Sequence, residues 1–461
     1  MKTCLRICEG DYTTIFKHLF PGDGKEAIAF ALCGRAQSEG RLVFTVHEVM
    51  TIPYNHCIRE EDYLHWQTED VLPIMNKAMN SNMAIMRIHS HPGGWPHFSE
   101  YDLRTDRDFF GDLMKGWCED SLPHLSAIMM PDRKIIGRVY HANGRVHSLD
   151  SAIVVGDTIA NIIFEEEFED VPPDEAIRNI QAFGEGTYNT LKKLRIGVVG
   201  CSGTGCHVIE QLMRLQVGEL VLVDPDVIEG KNLNRLVGAS KKDIGTPKTI
   251  FYKRYIKHTG LGVKVLAYQD DLFQSQSAIK ALSTCDVLFG CVDSASGRLL
   301  MNSIATFYNV PFFDMGVRLD ADGKGGVSYI GAQIDYLQPG KSSLKTRGVI
   351  KQEEVDAETE RLFTPEMYEQ HIKEDYIKNV KVDRPAVISV NGYDAYSAVL
   401  ILLDKLIGFR HEQQYGQIIT TLCEDLFIKT VETDFPVDDY LKKYKGRGDM
   451  VPCLDMPLFN N

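Results

Sequence analysis

Residues 194–224 read LRIGVVGCSGTGCHVIEQLMRLQVGELVLVD and decide the fold of the C-terminal half of the chain. A first apolar run predicts a buried strand, three closely spaced glycines predict a tight turn, and the apolar periodicity that follows predicts a helix. A second apolar run over 219–224 predicts the next strand. A strand, a helix and a strand in this order form a crossover between parallel strands. We therefore expect a mostly parallel, Rossmann-like sheet covered by helices.

The glycine-rich turn predicts a nucleotide site. Backbone amides around Gly200, Gly203 and Gly205, together with the N-terminus of the helix, can bind phosphate groups. Asp224 ends the second strand, which is where dinucleotide-binding enzymes also place a ribose-binding acid. These two features do not distinguish ATP from NAD.

Charged residues further along the chain favour ATP. Arg235 and Lys248 follow the second strand, and Asp293 follows a later apolar strand. A carboxylate that attacks the α-phosphate of ATP brings two anions together, so cations must neutralise them and an aspartate must hold magnesium. A hydride-transfer enzyme has no use for these groups at these places. The sequence therefore predicts an adenylating enzyme that uses ATP and magnesium, with Arg235 and Lys248 as catalytic cations.

The same residues resemble the ThiF/MoeB and ubiquitin-activating-enzyme superfamily over about 174–335, with 385–408 as a weaker continuation. The resemblance implies that Asp224 binds the ribose and that Asp293 holds magnesium. It implies phosphate contacts from three side chains: Asn232, Arg235 and Lys248. It also implies that Arg178, in a helix before the first strand, reaches the ATP of a partner subunit, so we expect a homodimer.

The chain departs from the pattern of this superfamily in two ways. Ser202 and Ser294 stand where a glycine and an asparagine are usual, but neither change removes a charged group. The paired Cys-x-x-Cys zinc motifs are missing, and no cysteine lies between Cys291 and Cys423. If a thioester forms, the candidate nucleophiles are Cys423 and Cys453.

A second motif, HSHPGGWPHFSEYD, begins at His89. Two histidines two residues apart near the end of a strand project to one side, and Asp102 in the first turn of the next helix can reach the same point. Two imidazoles and a carboxylate leave a fourth position free, as a catalytic zinc site requires. The alternative is that Ser99 and Asp102 only cap the helix.

This motif resembles the JAMM/MPN motif of zinc isopeptidases, and the resemblance covers about residues 1–155. It implies three zinc ligands: His89, His91 and Asp102. It further implies that Ser99 stabilises the oxyanion and that a glutamate on an early strand is the general base. Glu26 stands before such a strand, whereas the rival Glu48 follows a different one and lacks the downstream Cys-Gly pair.

The chain of 461 residues is therefore expected to be an α/β protein with two domains. We predict a JAMM/MPN α/β domain over 1–160, an acidic linker over 161–173 and an adenylation domain over 174–461. Within the last of these, 341–384 is polar enough to predict a long crossing segment.

Composition restricts the function classes. Lys and Arg number 50 against 64 Asp and Glu, and this net charge of −14 disfavours nucleic-acid binding. We found no apolar run long enough for a membrane span and no apolar signal core at the N-terminus, and the eleven cysteines do not predict a disulfide framework. We expect a soluble, cytoplasmic protein.

Together, the two resemblances predict a bifunctional enzyme that acts on the C-terminus of a ubiquitin-like protein ending in glycine. One domain would adenylate that carboxylate and the other would cleave peptide or isopeptide bonds, as in fusions from bacterial ubiquitin-like operons, including antiviral ones. A conjugating enzyme would be a further partner where a thioester is passed on. The alternative is adenylation of a small-molecule or sulfur-carrier carboxylate, with the N-terminal domain as a non-catalytic interaction module.

Overall fold

The chain folds into two units, and the computed structural model describes residues 1–116, 122–164, 172–366, 368–369, 387–411 and 414–459. The first unit comprises Met1–Glu169, Phe307–Asn309 and Tyr444–Asn461. The second comprises Asp170–Thr306 and Val310–Lys443.

A nine-stranded mixed sheet and a separate two-stranded hairpin form the first unit, together with three helices. The strands are β1 (Lys2–Cys8), β2 (Ile28–Ser38), β3 (Arg41–Thr51), β4 (Cys57–Arg59), β5 (Leu64–Trp66), β6 (Ala84–Ser90), β7 (His124–Met129), β8 (Ile135–Tyr140), β9 (Val146–Ser148), β10 (Ser151–Val155) and β11 (Ile159–Asn161). The helices are α1 (Glu9–Leu19), α2 (Leu72–Ser81) and α3 (Glu100–Gly116). The large sheet has the order β11-β10-β1-β3-β2-β6-β7-β8-β9, and β4 pairs with β5.

Strand β2 shows why the sheet has a helix layer on each face. Its small residues alternate with large ones, and the period of two sends them to opposite faces. The small set packs with α1 and consists of Ala29, Ala31 and Cys33. The large set packs with α2 and α3 and consists of Ile28, Phe30 and Leu32. The pairing of Ile28 with His89 places the end of β6 beside the start of β2, two residues after Glu26.

Residues 444–459 complete the first unit, although the predicted adenylation domain, 174–461, included them. The carbonyl oxygen of Gly446 accepts hydrogen bonds from Gly34 N at 3.2 Å and from Thr45 Oγ1 at 2.9 Å. A Cβ atom at Gly34 would lie 2.4 Å from the backbone of Arg447, so only glycine allows this approach. The domain prediction was wrong here because the contact joins residues some 400 positions apart, and no local pattern announces it.

The first unit also continues past residue 160, where the predicted domain ended. Ile162 and Ile163 are buried in its core, and Phe164 N donates to Ile135 O at 2.7 Å. The predicted linker, 161–173, therefore begins too early, because these apolar side chains pack against the sheet. Residues 165–171 of that linker lie outside the described residues.

The second unit is built on an eight-stranded sheet with the order β14-β13-β12-β15-β16-β17-β18-β19. Its strands are β12 (Arg195–Val199), β13 (Glu219–Val223), β14 (Lys264–Tyr268), β15 (Val287–Gly290), β16 (Phe312–Ala321), β17 (Val327–Leu337), β18 (Gln417–Thr421) and β19 (Leu426–Thr430). The helices are α4 (Ile177–Phe183), α5 (Glu185–Lys193), α6 (Gly203–Arg214), α7 (Lys248–Thr259), α8 (Gln276–Ser283), α9 (Ala295–Phe307), α10 (Gln352–Phe363) and α11 (Ile388–Ile407). Each neighbouring pair in the series β14-β13-β12-β15-β16 is parallel, which confirms a mostly parallel sheet around β12.

Part of the second unit differs from the sequence prediction. Three antiparallel strands, β17 to β19, extend the parallel sheet. Leu426, Phe427 and Ile428 of β19 all face solvent, so this apolar run does not mark a buried strand. The helix α10 lies within the predicted polar crossing segment, of which 367 and 370–384 fall outside the described residues. Among the helices that the structure describes, none has the length and apolar character to cross a membrane.

Candidate functional site

Four buried side chains meet at the end of β6 in the first unit. His89 Nε2 lies 3.0 Å from Asp102 Oδ1, and His91 Nε2 lies 3.5 Å from Asp102 Oδ2 and 3.8 Å from Glu26 Oε1. Potential ligand atoms of Glu26, His89 and His91 all lie within 4.8 Å of one another. The structure thus brings together the predicted base and all three predicted zinc ligands.

Ser99 caps the helix that carries Asp102. Its N–H and its hydroxyl donate to Asp102 Oδ2 at 2.9 and 2.7 Å, and Asp102 N donates to Ser99 Oγ at 3.1 Å. The capping alternative is therefore present, and it coexists with the approach of Asp102 to the histidines. These bonds give Ser99 a part in orienting Asp102, while its predicted oxyanion role stays a prediction.

A buried ion pair holds α3 against β6. Arg87, two residues before His89, pairs with Asp106, one turn after Asp102, and Tyr140 Oη donates to Asp106 Oδ2 at 3.0 Å. Because both charges are removed from water, the pair fixes the face that α3 presents to the strand. Sequence reasoning missed this pair. The signal was present, because Arg87 lies two strand positions before His89 and Asp106 lies four helix positions after Asp102.

Two further contacts orient the groups at the end of β6. His91 Nδ1 lies 2.9 Å from the carbonyl oxygen of Trp95, which must accept, so Nδ1 carries the proton and Nε2 has its lone pair free. Ser90 Oγ accepts from Ala27 N at 2.9 Å, which ties the residue after Glu26 to the strand of the histidines.

The two carboxyl groups of the cluster have pKa values that are shifted in opposite directions. Burial, together with the charge of Asp102, raises the pKa of Glu26 to about 7, although His91 lowers it. Burial and the nearby Arg87 lower the pKa of His89. Although burial opposes it, the contacts with His89 and His91 lower the pKa of Asp102 below its usual range. Burial lowers the pKa of His91, but its contacts with Asp102 and with the carbonyl oxygen of Trp95 outweigh burial and raise it. The neutral imidazole beside an ionised carboxylate that a metal needs is therefore favoured at His89.

The donor set fits zinc. His89 is fully buried, yet neither of its ring nitrogens makes a hydrogen bond of normal geometry with any described residue. A buried polar atom without a partner requires an explanation, and a bound cation supplies one. Nitrogen donors and a carboxylate oxygen in a buried cluster match the preferences of Zn²⁺.

In the second unit, the glycine-rich turn forms as predicted between β12 and α6. Gly200 has φ +88°, and a Cβ atom on it would lie 2.5 Å from the carbonyl oxygen of Cys291. A Cβ atom at Gly205 would lie 1.8 Å from the carbonyl oxygen of Gly200, and one at Gly203 would lie 2.7 Å from the side-chain nitrogen, Nδ2, of Asn391. Glycine at these positions therefore keeps the turn tight at the N-terminus of α6.

Asp224 and Lys248 lie together beside this turn, and both are buried. Asp224 Oδ2 accepts from Cys201 N at 2.7 Å, so the carboxylate is bonded to the turn itself. Lys248 Nζ lies 3.4 Å from Asp224 Oδ1 and donates to Asp226 Oδ2 at 2.8 Å. Burial raises the pKa of Asp224, whereas the adjacent Lys248 lowers it. The structure thus places a cation and a carboxylate where the sequence predicted nucleotide contacts.

The other predicted nucleotide residues have different surroundings. Asn232 is buried, and its Oδ1 accepts from Glu229 N at 2.9 Å, so it caps a short helix. Arg235 donates through Nη1 to Lys231 O at 3.0 Å, within its own segment. Their predicted phosphate contacts would need these side chains to turn from these partners.

Two predicted residues are exposed. Asp293 follows β15 at the carboxyl edge of the parallel strands, and an exposed carboxylate suits magnesium, which takes one or two carboxylates plus phosphate oxygens. Arg178 lies on α4 and donates to Gln181 Oε1 at 2.9 Å. Its predicted reach into a partner subunit stays a prediction.

Asp394 on α11 is a buried carboxyl group that the sequence did not reveal. It is 0% exposed, and neither of its carboxylate oxygens has a hydrogen-bond partner among the described residues. Burial raises its pKa well above the usual range, and the charge of Asp314 adds to this, while Arg298 opposes it. The carboxyl therefore keeps its proton to a higher pH than an exposed aspartate does.

Replacing Asp394 with asparagine is expected to remove a loss of stability that grows with pH, by at most about 1.4 kcal/mol per pH unit. In the unfolded chain this carboxyl ionises near pH 4, whereas in the folded protein it keeps its proton to a higher pH, so stability is lost as the pH rises above about 4. The stability of Asp394→Asn relative to the wild type should therefore increase with pH in calorimetric melts. Asp404, buried on the same helix, accepts from Arg410 N at 2.8 Å and from Gln414 Nε2 at 3.0 Å. Asp404→Asn should destabilise the protein. A change in the free energy of unfolding with the same sign in both variants would contradict this account.

Comparisons with known proteins agree with the geometry of the second unit. The model of the ThiF family matches residues 175–415. Adenylyltransferase and sulfurtransferase UBA4 of Meyerozyma guilliermondii is 31% identical over 121 residues, which are 26% of this chain and 28% of that protein. SAMP-activating enzyme E1 of Haloferax volcanii is 32% identical over 117 residues, which are 25% of this chain and 43% of that protein. The chain thus spans less than half the length of these curated relatives.

One solved structure similar to this chain is the crystal structure of E. coli MccB with succinimide. The alignment covers 58% of this chain and 74% of that one, with 16% sequence identity and a TM-score of 0.43.

Proposed function

The chain belongs to the ThiF family, and from this premise we propose that it is an ATP-dependent adenylyltransferase that activates the C-terminal carboxylate of a ubiquitin-like protein ending in glycine. The observation that carries the proposal is the buried Lys248, whose ammonium lies 3.4 Å from Asp224 beside the glycine-rich turn. The name of the Haloferax volcanii relative, a SAMP-activating E1, supports a small protein as the substrate class.

The residues of the second unit would divide the work. Backbone amides at Gly203 and the N-terminus of α6 bind phosphate oxygens of ATP, and Asp224 accepts from the ribose hydroxyls. Lys248 moves from its aspartate partners to the phosphates and neutralises the charge that builds up when the tail carboxylate attacks. Arg235, turned from Lys231 O, adds a second cation. Magnesium, held by Asp293, would neutralise the departing pyrophosphate.

For the first unit we propose a zinc-dependent isopeptidase site that acts on the same kind of tail. His89, His91 and Asp102 would hold the metal, which lowers the pKa of water and polarises a carbonyl group when it is bound. Glu26, whose carboxylate lies 3.8 Å from His91 Nε2, accepts the proton of the attacking water and delivers it to the leaving amine. Ser99 holds Asp102 in place and lies at the same edge of the site.

The proposal is tested by two assays on the full chain with purified ubiquitin-like proteins. ATP–pyrophosphate exchange should depend on a ubiquitin-like protein with a C-terminal glycine and should vanish when the tail is amidated. A fusion of that protein to a reporter should be cleaved after the glycine in a chelator-sensitive reaction. Exchange supported equally by a small carboxylic acid would instead favour a small-molecule substrate.

Mixed subunits are expected to recover adenylation if the protein is a homodimer with shared ATP sites. Arg178→Ala and Asp293→Ala should each abolish exchange alone, because Arg178 is proposed to act in the partner's site. After subunit exchange, half of the dimers should be mixed, and each mixed dimer has one of its two sites intact. Up to about a quarter of the wild-type activity should therefore return. Failure to recover activity despite demonstrated subunit exchange would rule out the shared site.

A thioester intermediate is not required for this chemistry. Cys453 is buried in the first unit and Cys423 is exposed after β18, so Cys423 is the more accessible of the two candidate nucleophiles. A conjugating enzyme or another acceptor would otherwise take the activated tail directly.

A further inference from the structure

One arginine holds the loop that carries Glu26. Arg59 Nε donates to Glu26 O at 2.7 Å, and its two Nη atoms donate to the carboxylate of Asp23 at 2.9 and 3.2 Å. Nη2 also donates to Lys25 O at 3.2 Å, and the guanidinium lies 4.2 Å from the centre of the Tyr54 ring. The Arg59 side chain is only 8% exposed. A single side chain thus binds three of the four residues over 23–26.

The hairpin β4–β5 completes this clamp. Glu26 N donates to Glu60 O at 2.8 Å, so both backbone polar groups of Glu26 are bonded to two consecutive residues, Arg59 and Glu60. On the other side, Ala27 N is bonded to Ser90 Oγ in the strand of the histidines. The backbone of Glu26 is therefore fixed between the hairpin and the proposed zinc site.

We propose that Arg59 is the positioning residue of Glu26, and this inference rests on the proposed isopeptidase function of the first unit. The described hydrogen bonds of Arg59 go to the loop and to Asp23, and those that orient the histidines and Asp102 come from other residues. Loss of Arg59 should therefore free the carboxylate that accepts the proton and leave the zinc ligands in place. Outer residues that orient a catalytic group commonly change activity by about 10–100-fold.

These contacts depend on the planar geometry of the guanidinium in addition to its charge, which pairs with Asp23. A guanidinium offers five N–H groups in a fixed plane, whereas an ammonium group on a flexible stem cannot reach Glu26 O, Lys25 O and both oxygens of Asp23 together. Arg59→Lys should therefore resemble Arg59→Ala in turnover, although it keeps the positive charge.

The test uses the zinc-loaded full chain and three readouts. In Arg59→Ala, amide hydrogen exchange should rise in the peptide that contains Glu26 and stay unchanged in the peptide of β6. Zinc content and zinc affinity, measured by chelator competition, should equal those of the wild type. Cleavage should show kcat reduced by about 10–100-fold with KM unchanged. Asp23→Asn, which changes an exposed partner and leaves Arg59 in place, should shift the same readouts in the same direction by less.

Lys77→Ala is the matched control, since Lys77 pairs with the exposed Glu48 in the same unit and should change none of the readouts. Unchanged exchange at Glu26 in both Arg59→Ala and Asp23→Asn would overturn the proposal. So would a rise in exchange throughout the first unit together with loss of zinc, which is the behaviour of a purely structural residue. If the wild-type chain cleaves no substrate, the proposed isopeptidase function fails, while hydrogen exchange still decides whether Arg59 holds Glu26.

Discussion

Glu26→Gln is expected to reduce cleavage of a ubiquitin-like fusion by about 10²–10⁴-fold while one zinc per chain stays bound. The glutamine side chain has the size of glutamate and preserves the backbone bonds of residue 26 to Arg59 and Glu60. It cannot accept a proton at neutral pH, so only the base function is removed. His91→Ala should lose both zinc and cleavage, because it removes a nitrogen donor from the cluster. Metal analysis and initial rates on the same preparations separate the two effects.

Glu48 provides the control for this experiment, since it was the rival base in the sequence. Its side chain is 44% exposed and pairs with Lys77 at 2.6 Å. Glu48→Gln should therefore leave cleavage unchanged. If Glu26→Gln retained full cleavage, or released zinc as His91→Ala does, the assignment of the base would be wrong.

Lys248→Ala should lower ATP–pyrophosphate exchange by about 10²–10³-fold. Lys248 is the buried cation beside Asp224 and Asp226, and without it no ammonium group offsets the negative charge of ATP and the tail carboxylate at that position. Removing one preorganised charge from a site that stabilises a transition state commonly has an effect of this size. Equilibrium binding of ATP should be measured beside the exchange rate, so that a loss of affinity is told apart from a loss of rate.

Lys231 gives a matched control in the same part of the chain. Its side chain is 74% exposed, and its Nζ lies 2.8 Å from Glu229 Oε2. Lys231→Ala therefore removes one positive charge, as Lys248→Ala does, but removes it from an exposed position. Exchange should stay near the wild-type rate in that variant. Equal losses in Lys231→Ala and Lys248→Ala would indicate a general electrostatic effect and not a catalytic cation.

The sequence predicted those parts of the fold and site that rest on local periodicity. The strand after Glu26 and the His-x-His spacing at the end of β6 were both readable without coordinates, because each rests on the period of two in a strand. The glycine-rich turn was also readable, because its strand, turn and helix are consecutive. Lys248 was predicted as a cation of the nucleotide site from its place after the second strand and from the resemblance to a known family, whereas its approach to Asp224 was not predicted.

The supporting contacts were not readable, because each joins distant parts of the chain through polar atoms. Arg59 and Glu26 are 33 residues apart, and nothing in the spacing of polar residues indicates which arginine meets which carbonyl oxygen. Asp394 was missed for a related reason, since an aspartate on a helix normally faces water. Burial without a partner is a property of the packed structure alone.

The joining of residues 444–459 to the first unit has a consequence for how the protein is made. Synthesis proceeds from the N-terminus, so the nine-stranded sheet exists as a nascent chain long before its last hydrogen-bond acceptors, such as Gly446 O, leave the ribosome. Until then Thr45 and Gly34 N lack these partners, so the sheet at the start of the chain stays incomplete until residue 446 has been made. The first unit is thus expected to become fully protease-resistant only after the whole of the second unit has been synthesised.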